Sequence, residues 1–371
     1  MRRALGVAAA AAGVAAACAV YSDDLLVPGA PPPDASTSDA TSDGGCVHAR
    51  PPPRPDTDGI GDADVDAEHV FALSQWDLGF GDGGIPFAYD LDDRCTCPEK
   101  ESCVPITGAP QHCDDDAGRD NSGLALALTL SKLTNAFDDK TANKRLAQGI
   151  NGLIVRVRRW NGADDDRDVE LSLFVSNGTT PGVDGGNPPP SHDGGDVWTA
   201  DPGSLLGGIG PPYVAKFIDT NAYVAGGRIV ATLDFPVALG RSFRGTVMVL
   251  GSAIVSARID RLPGGGFGLS EGRATGRWPT RGFLTGLQTI SDPITSGGYL
   301  CGDSGVYQSI KEQICGAADI SASPLRDNQN SPCDAISIAV GWRAEQAQLS
   351  GVFAIEAGVQ GCGATYTDDC R

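Results

Sequence analysis

Long apolar runs are what this chain most plainly lacks. Beyond its first few residues, no stretch is long and apolar enough to cross a bilayer as a helix. Glutamate and lysine are also scarce: eight Glu stand against 39 Asp, and six Lys occur among 28 basic residues. Asp forms helices poorly and turns well, so the imbalance points to an exposed, loop-rich architecture. Fifty glycines and 25 prolines point the same way. There is no Gly-Lys-Ser/Thr phosphate loop. The run LPGGGFGLSEG at 262–272 reads as a turn between strands, without a GxGxxG entering a helix. Positive charge is short as well: 28 basic residues face 47 acidic ones, a formal charge of -19. That balance argues against nucleic acid and against direct electrostatic attraction to an anionic membrane.

The chain does carry a targeting pattern. Arg2 and Arg3 precede the small-residue apolar run Ala4–Ala17, which ends at Cys18. This is the layout of a secretory signal, and it is too short for a spanning helix. Val14-Ala15-Ala16-Ala17-Cys18 fits a bacterial lipobox, although Ala15 stands where Leu is usual; cleavage after Ala17 or Ala19 is the alternative. The expectation is a signal segment over 1–18, lipidation at Cys18, and a membrane contact made through that lipid.

Export decides how the other cysteines are read. Without Cys18, ten remain: Cys46, Cys95, Cys97, Cys103, Cys113, Cys301, Cys315, Cys333, Cys362 and Cys370. An even set in an oxidising compartment reads as a disulfide framework. Cys95-Thr-Cys97 is not CxxC, and no histidine pair completes a zinc site. Neighbouring cysteines on one strand point to opposite faces, so Cys95 and Cys97 should have different partners. Local pairings are expected: Cys103 or Cys113 with one of those two, Cys362 with Cys370, and two of Cys301, Cys315 and Cys333 together. Cys46 is assigned a long-range bond.

Residues 19–67 read as an acidic, Pro-rich linker with too little apolar surface to offset its ordering entropy. Residues 68–371 are long enough for a large core. Within this body, strict alternation marks strands at 153–159, 169–175, 228–239 and 245–259, the last with Gly251 as a bend, and again after Ala335. NGADDDRD, 161–168, joins two of them as a hairpin loop. Helical spacing appears at 305–315 and 280–290. Residues 123–148 carry helix boundary signals, with Asn121 or Ser122 as cap and Gly149 as stop, but the LALAL alternation also suits a strand. The fold class is mainly β with a few helices, most simply an antiparallel β-sandwich stapled by disulfides.

Three Asp-rich loops raise calcium, which takes oxygen ligands from clustered carboxylates and carbonyls. None fits the EF-hand pattern. DTDGIGDADVD at 56–66 reads more simply as the end of an acidic linker, and 161–168, with Asp164 and Asp166, as a solvated hairpin. CDDDAGRDN at 113–121 is the better candidate, with Asp114, Asp116 and Asp120 pinned by a cysteine. CGDSG at 301–305 shares four residues with the nucleophile motif of trypsin-like proteases but lacks the following Gly-Pro and a matching histidine, so Asp303 or Ser304 reads as a helix cap. No carboxylate spacing singles out a glycosidase pair. Trp160, at the end of a strand beside Asn161, could stack on a sugar; burial in the core is the commoner fate of tryptophan.

The lipobox-like start, the acidic linker, FALSQWDLGFG, YDLDDRCTC, GRDN, NGLIVRVRRWNG and CDAISIAVGW together resemble a group of uncharacterised exported bacterial lipoproteins. That resemblance implies location and no catalytic activity. With Ala19 after Cys18, it implies the outer membrane or cell surface. The expected function is that of an envelope-anchored binding or structural protein recognising a glycan or an envelope protein, with a carboxylate-dependent hydrolase as the alternative.

Overall fold

The computed structural model describes residues 47–61, 64–79, 87–97, 102–106, 112–115, 117–133, 139–181, 186–237, 248–288, 292, 298–302, 304–327, 330–354, 362 and 366–370. Cys18, Cys46 and Asp116 lie outside them. The described strands are β1 (Glu68–Asp77), β2 (Gly152–Arg158), β3 (Asp166–Thr179), β4 (Val197–Ala200), β5 (Phe217–Ala225), β6 (Arg228–Val237), β7 (Met248–Arg261), β8 (Phe267–Pro279), β9 (Ala335–Gln346) and β10 (Gln348–Val352). The helices are α1 (Gly123–Leu133), α2 (Asp139–Ala147), α3 (Thr280–Leu287) and α4 (Gly305–Gly316). Both short helical readings near 280 and 305 correspond to helices, and 123–148 divides into α1 and α2. Ser304 caps α4, its Oγ accepting from the Tyr307 N–H at 3.4 Å.

The strands do not form two facing sheets. The sequence β3-β2-β1-β9-β8-β7-β6-β5 closes on itself because β5 pairs with β3, giving an 8-strand antiparallel barrel in place of the expected sandwich. Alternation is the same in both architectures, because each strand buries one face. The closing pair decides between them. β3 is long enough for two roles: Asp166–Leu173 pairs with β5, while Ser176–Thr179 pairs with β4. Register shifts along β3, between Asp166 and Val169 and between Val169 and Leu171, give the bending that closure needs. β4 also pairs in parallel with β10, forming a flap beyond the ring.

The interior is filled by the inward set of each strand. Leu153, Val155 and Val157 from β2 meet Val169, Leu171, Leu173 and Val175 from β3, and Ile229, Ala231, Leu233, Phe235 and Val237 from β6. Trp76 and Trp342 lie side by side in register on β1 and β9, and Trp76 reaches across to the Phe235 ring at 6.2 Å. Room for these indoles comes from β8, where a Cβ on Gly272 would sit 2.3 Å from the Trp342 ring. On β7 the bend predicted at Gly251 is real: the register slips between Gly251 and Ile254, so Leu250 joins Ala253, Val255 and Ala257 in the core. A second cluster, including Val70, Ile154, Phe174 and Trp198, fills the space between the barrel wall and the flap. Residues 47–61, read from the sequence as the end of the linker, lie against this body: the Tyr223 hydroxyl donates to Pro52 O at 2.6 Å, and Gly59 N to Asp165 O at 2.7 Å.

Four disulfides with both partners among the described residues tie the outer layer down: Cys97–Cys113, Cys103–Cys333, Cys301–Cys362 and Cys315–Cys370. Cys95 is disulfide-bonded as well. The local pairing of Cys97 holds, but the other local assignments do not. Cys362 and Cys370 part company, each reaching back to one end of the α4 region, and no two of Cys301, Cys315 and Cys333 join. Sequence proximity misled because the C-terminal segment runs along α4: Tyr307 OH and Lys311 Nζ both donate to Asp368, at 2.7 and 2.6 Å. The disulfides indicate an oxidising, exported environment. No described helix is long and apolar enough to cross a membrane.

Loop-closure entropy ranks these bonds. Cys103–Cys333 spans 230 residues and Cys97–Cys113 spans 16. The chain-entropy relation assigns about 5 kcal/mol to the first and about 3 kcal/mol to the second. Urea titration of the Cys103→Ser/Cys333→Ser pair should therefore show a larger fall in midpoint than the Cys97→Ser/Cys113→Ser pair. Equal falls would mean that denatured-state entropy does not set the order.

Candidate functional site

The outward faces of β7, β8 and β9 carry small and polar residues, and the segment after β1 is laid across them. Phe87 covers Gly341, where a Cβ would stand 2.9 Å from its ring. Tyr89 N donates to Thr275 Oγ1 at 3.1 Å, and the Tyr89 hydroxyl pairs with Ser256 Oγ at 2.7 Å. The chain then turns on Asp90, whose Oδ1 accepts from the N–H groups of Asp92 and Asp93, while its Oδ2 faces His48 Nδ1. Arg277, 1 % exposed on β8, fastens this turn to the wall. Its Nη2 donates to Leu91 O at 2.6 Å, and the guanidinium forms a two-point pair with Asp327 at 2.9 and 2.7 Å.

The loop at 113–121 folds onto the same turn. Cys113 is bonded to Cys97, and Asp114 Oδ2 accepts from Thr96 N at 2.7 Å. Asp120 grips the turn twice: its N–H donates to Tyr89 O at 3.2 Å, and its Oδ2 accepts from Leu91 N at 2.5 Å. The result is a buried carboxylate cluster in which ligand oxygens of Asp90, Asp92 and Asp120 all lie within 4.8 Å of one another.

Asp92, Asp114 and Asp120 share one pattern. On each, one oxygen takes a backbone N–H: from Arg94 on Asp92, Thr96 on Asp114 and Leu91 on Asp120. Their other oxygens receive no hydrogen bond of ordinary geometry among the described residues. Ser102, 1 % exposed, is close enough to favour the charged Asp92 carboxylate, yet its Oγ makes no hydrogen bond of ordinary length and angle.

The electrostatics follow from crowding. Burial pushes Asp92 up to about 6; Ser102 opposes the shift, and the charges of Asp90 and Asp327 add to it. Asp114, half-buried, is pushed up to about 7, first by burial and then by Asp92, Asp319 and Asp90, with the Thr96 N–H opposing. Asp120 is raised well above the usual carboxylate range by burial and by Asp92 and Asp114. Like charges 4.8 Å apart repel by roughly 3 kcal/mol per pair at an effective dielectric near 20. The arginines in contact with this layer are paired with other acids: Arg277 with Asp327, Arg50 with Asp93 and Arg119 with Asp115.

Asp114 and Asp120 thus come together, while Asp164 and Asp166 belong elsewhere. Asp166 receives the N–H groups of Asn161 and Asp168, and Asp164 O accepts from Gly227 N, fastening the hairpin loop to the barrel end. Asp90 and Asp92 were not singled out from the sequence. Their signal was present in YDLDDRCTC, where Asp-x-Asp stands beside a cysteine as in 113–121. Trp160 is no sugar platform: it is 3 % exposed, its Nε1 donates to Ala163 O, and with His69 and Phe267 it plugs one barrel mouth.

The raised carboxyls fix a sign for pH dependence. Between their ordinary value of 3.8 and about 7, the folded state holds protons that the unfolded state releases. Stability supplied by Asp92 and Asp114 is full below 3.8 and lost as pH rises through about 6 and 7. In excess chelator, the urea midpoint of Asp114→Asn should fall less than that of the parent between pH 4 and pH 8. Parallel profiles would remove Asp114 from the cluster's energetics.

The chain matches no family model, no curated protein and no solved structure at a significant level.

Proposed function

We propose that this protein is an envelope-anchored binding protein, tethered through lipid on Cys18, that acts through its outer surface on another envelope protein. The observation that carries this reading is the loop 206–214. It joins β4 of the flap to β5 of the barrel and is closed at its base by Leu206 N donating to Val214 O at 2.8 Å. Its side chains Leu206, Ile209 and Val214 are 54 %, 69 % and 48 % exposed. Between Asp201 and Asp219 the chain has no acid and one lysine, Lys216, in a protein of charge -19. Tyr213 holds the loop against the flap, its hydroxyl accepting from Gly351 N and its carbonyl from Arg156 Nη1. An anchored apolar tip on an otherwise acidic body suits a protein partner.

A glycan partner has less support. All five tryptophans are buried, which removes the usual platform for stacking on sugars. The hydrolase alternative has one observation in its favour, since Asp92 and Asp114 hold protons near neutral pH as a general acid must.

Two measurements test the proposal. Membrane fractionation should find the full-length protein with the membranes and the Cys18→Ser variant in the soluble fraction. A photo-crosslinking residue at position 209 should give one discrete adduct in intact cells. Leu206→Asp should suppress that adduct, and a crosslinker at the exposed barrel position Thr232 should give none. Indistinguishable products from 209 and 232 would remove the loop as a recognition surface.

A further inference from the structure

We propose that the carboxylates of Asp90, Asp92 and Asp120, with Asp114 and the Ser102 hydroxyl beside them, form a calcium site that locks the 87–97 and 112–120 segments to the barrel wall. This site is independent of whatever loop 206–214 binds.

The geometry fits the ion. Calcium takes oxygen ligands at about 2.3–2.6 Å, so two ligands on opposite sides of it stand about 4.6–5.2 Å apart. The oxygens of Asp90, Asp92 and Asp120 lie within 4.8 Å of one another, inside that span. Asp92, Asp114 and Asp120 each have one oxygen fixed by a backbone N–H and the other without a hydrogen bond of ordinary geometry among the described residues, so the carboxylates are oriented before any ion arrives. Zinc would want sulfur or imidazole ligands; among the described residues the imidazole in contact with the three acids is His48, already turned onto Asp90.

Ser102 is the independent observation. Its side chain is buried and faces Asp92, yet its Oγ has no protein partner of ordinary geometry. Buried hydroxyls are rarely left so, because losing water without a replacement partner is unfavourable. A cation between the free carboxylate oxygens would give that hydroxyl oxygen a partner and remove the mutual repulsion of the acids. Arg277 does not fill this role, since both of its terminal nitrogens are committed to Asp327, Ser321 O and Leu91 O.

The test uses the oxidised full-length protein, freed of metal with EDTA and then dialysed. Titration with calcium chloride, followed by calorimetry, should show one site, and melting temperature should rise by roughly 5 °C at a hundredfold excess over the dissociation constant. Terbium added alone should show luminescence excited through Tyr89, whose carbonyl accepts from Asp120 N, and calcium should displace it. Asp120→Asn and Asp92→Asn should each weaken calcium binding at least tenfold while melting in EDTA no lower than the parent, because each removes a repelling charge. Asp166→Asn should bind calcium as the parent does. The proposal fails if millimolar calcium gives no heat and no shift, if Asp166→Asn abolishes binding, or if Asp120→Asn and Asp92→Asn bind calcium unchanged. Should one aspartate variant not fold, the other and the terbium signal of the parent still decide.

Discussion

The pairing of β5 with β3 is the constraint on which the rest depends. It converts a ladder of antiparallel strands into a ring, and a ring has an inside. Once closed, every strand must send one face inward, and the inward residues are large where space allows and small where indoles need it, as at Gly272 beside Trp342. Closure also removes sheet edges that would otherwise invite pairing with other chains. The exposed edge is displaced onto the short flap made by β4 and β10.

A closed barrel leaves its long connections with nowhere to go but the outside. There the helices pack through apolar faces, with Leu126 and Leu130 of α1, Phe283 and Leu284 of α3, and Ile310 and Ile314 of α4 buried. The stretches between them are held by bonds of other kinds. Disulfides join the connections to each other and to the β9 approach, while Arg277 pins the turn at Leu91 to the wall. Aspartates accept backbone N–H groups throughout, which explains the preference for Asp over the longer Glu. A short carboxylate reaches an N–H two or three residues away, as Asp90 does for Asp92 and Asp93.

That use of aspartate has a cost where several of the turns meet. At Asp90, Asp92, Asp114 and Asp120 the carboxylates that organise separate segments are brought together, and burial raises their proton affinity. The outer layer thereby holds carboxyls that tie stability to pH. The described core of the barrel is lined by apolar side chains, with His69 at one mouth.

The positions of β2, β3, β6, β7 and β9, the hairpin at 161–168, the helix near 305 and the export-type cysteine usage were legible in the sequence because each depends on residues close together in the chain; β1, β4, β5 and β8 were not read from it. Alternation, turn chemistry and capping are local signals. The sequence also marked Asp114 and Asp120, and it contained Asp90 and Asp92 in an equivalent pattern that drew no attention. What it could not show was convergence. Barrel or sandwich turned on one contact between β3 and β5, Cys103 found Cys333 across 230 residues, and Asp90 met Asp120 only after both had crossed the barrel wall. Local physics chose the elements; long-range closure, whose entropy cost grows only slowly with loop length, chose which of them would touch.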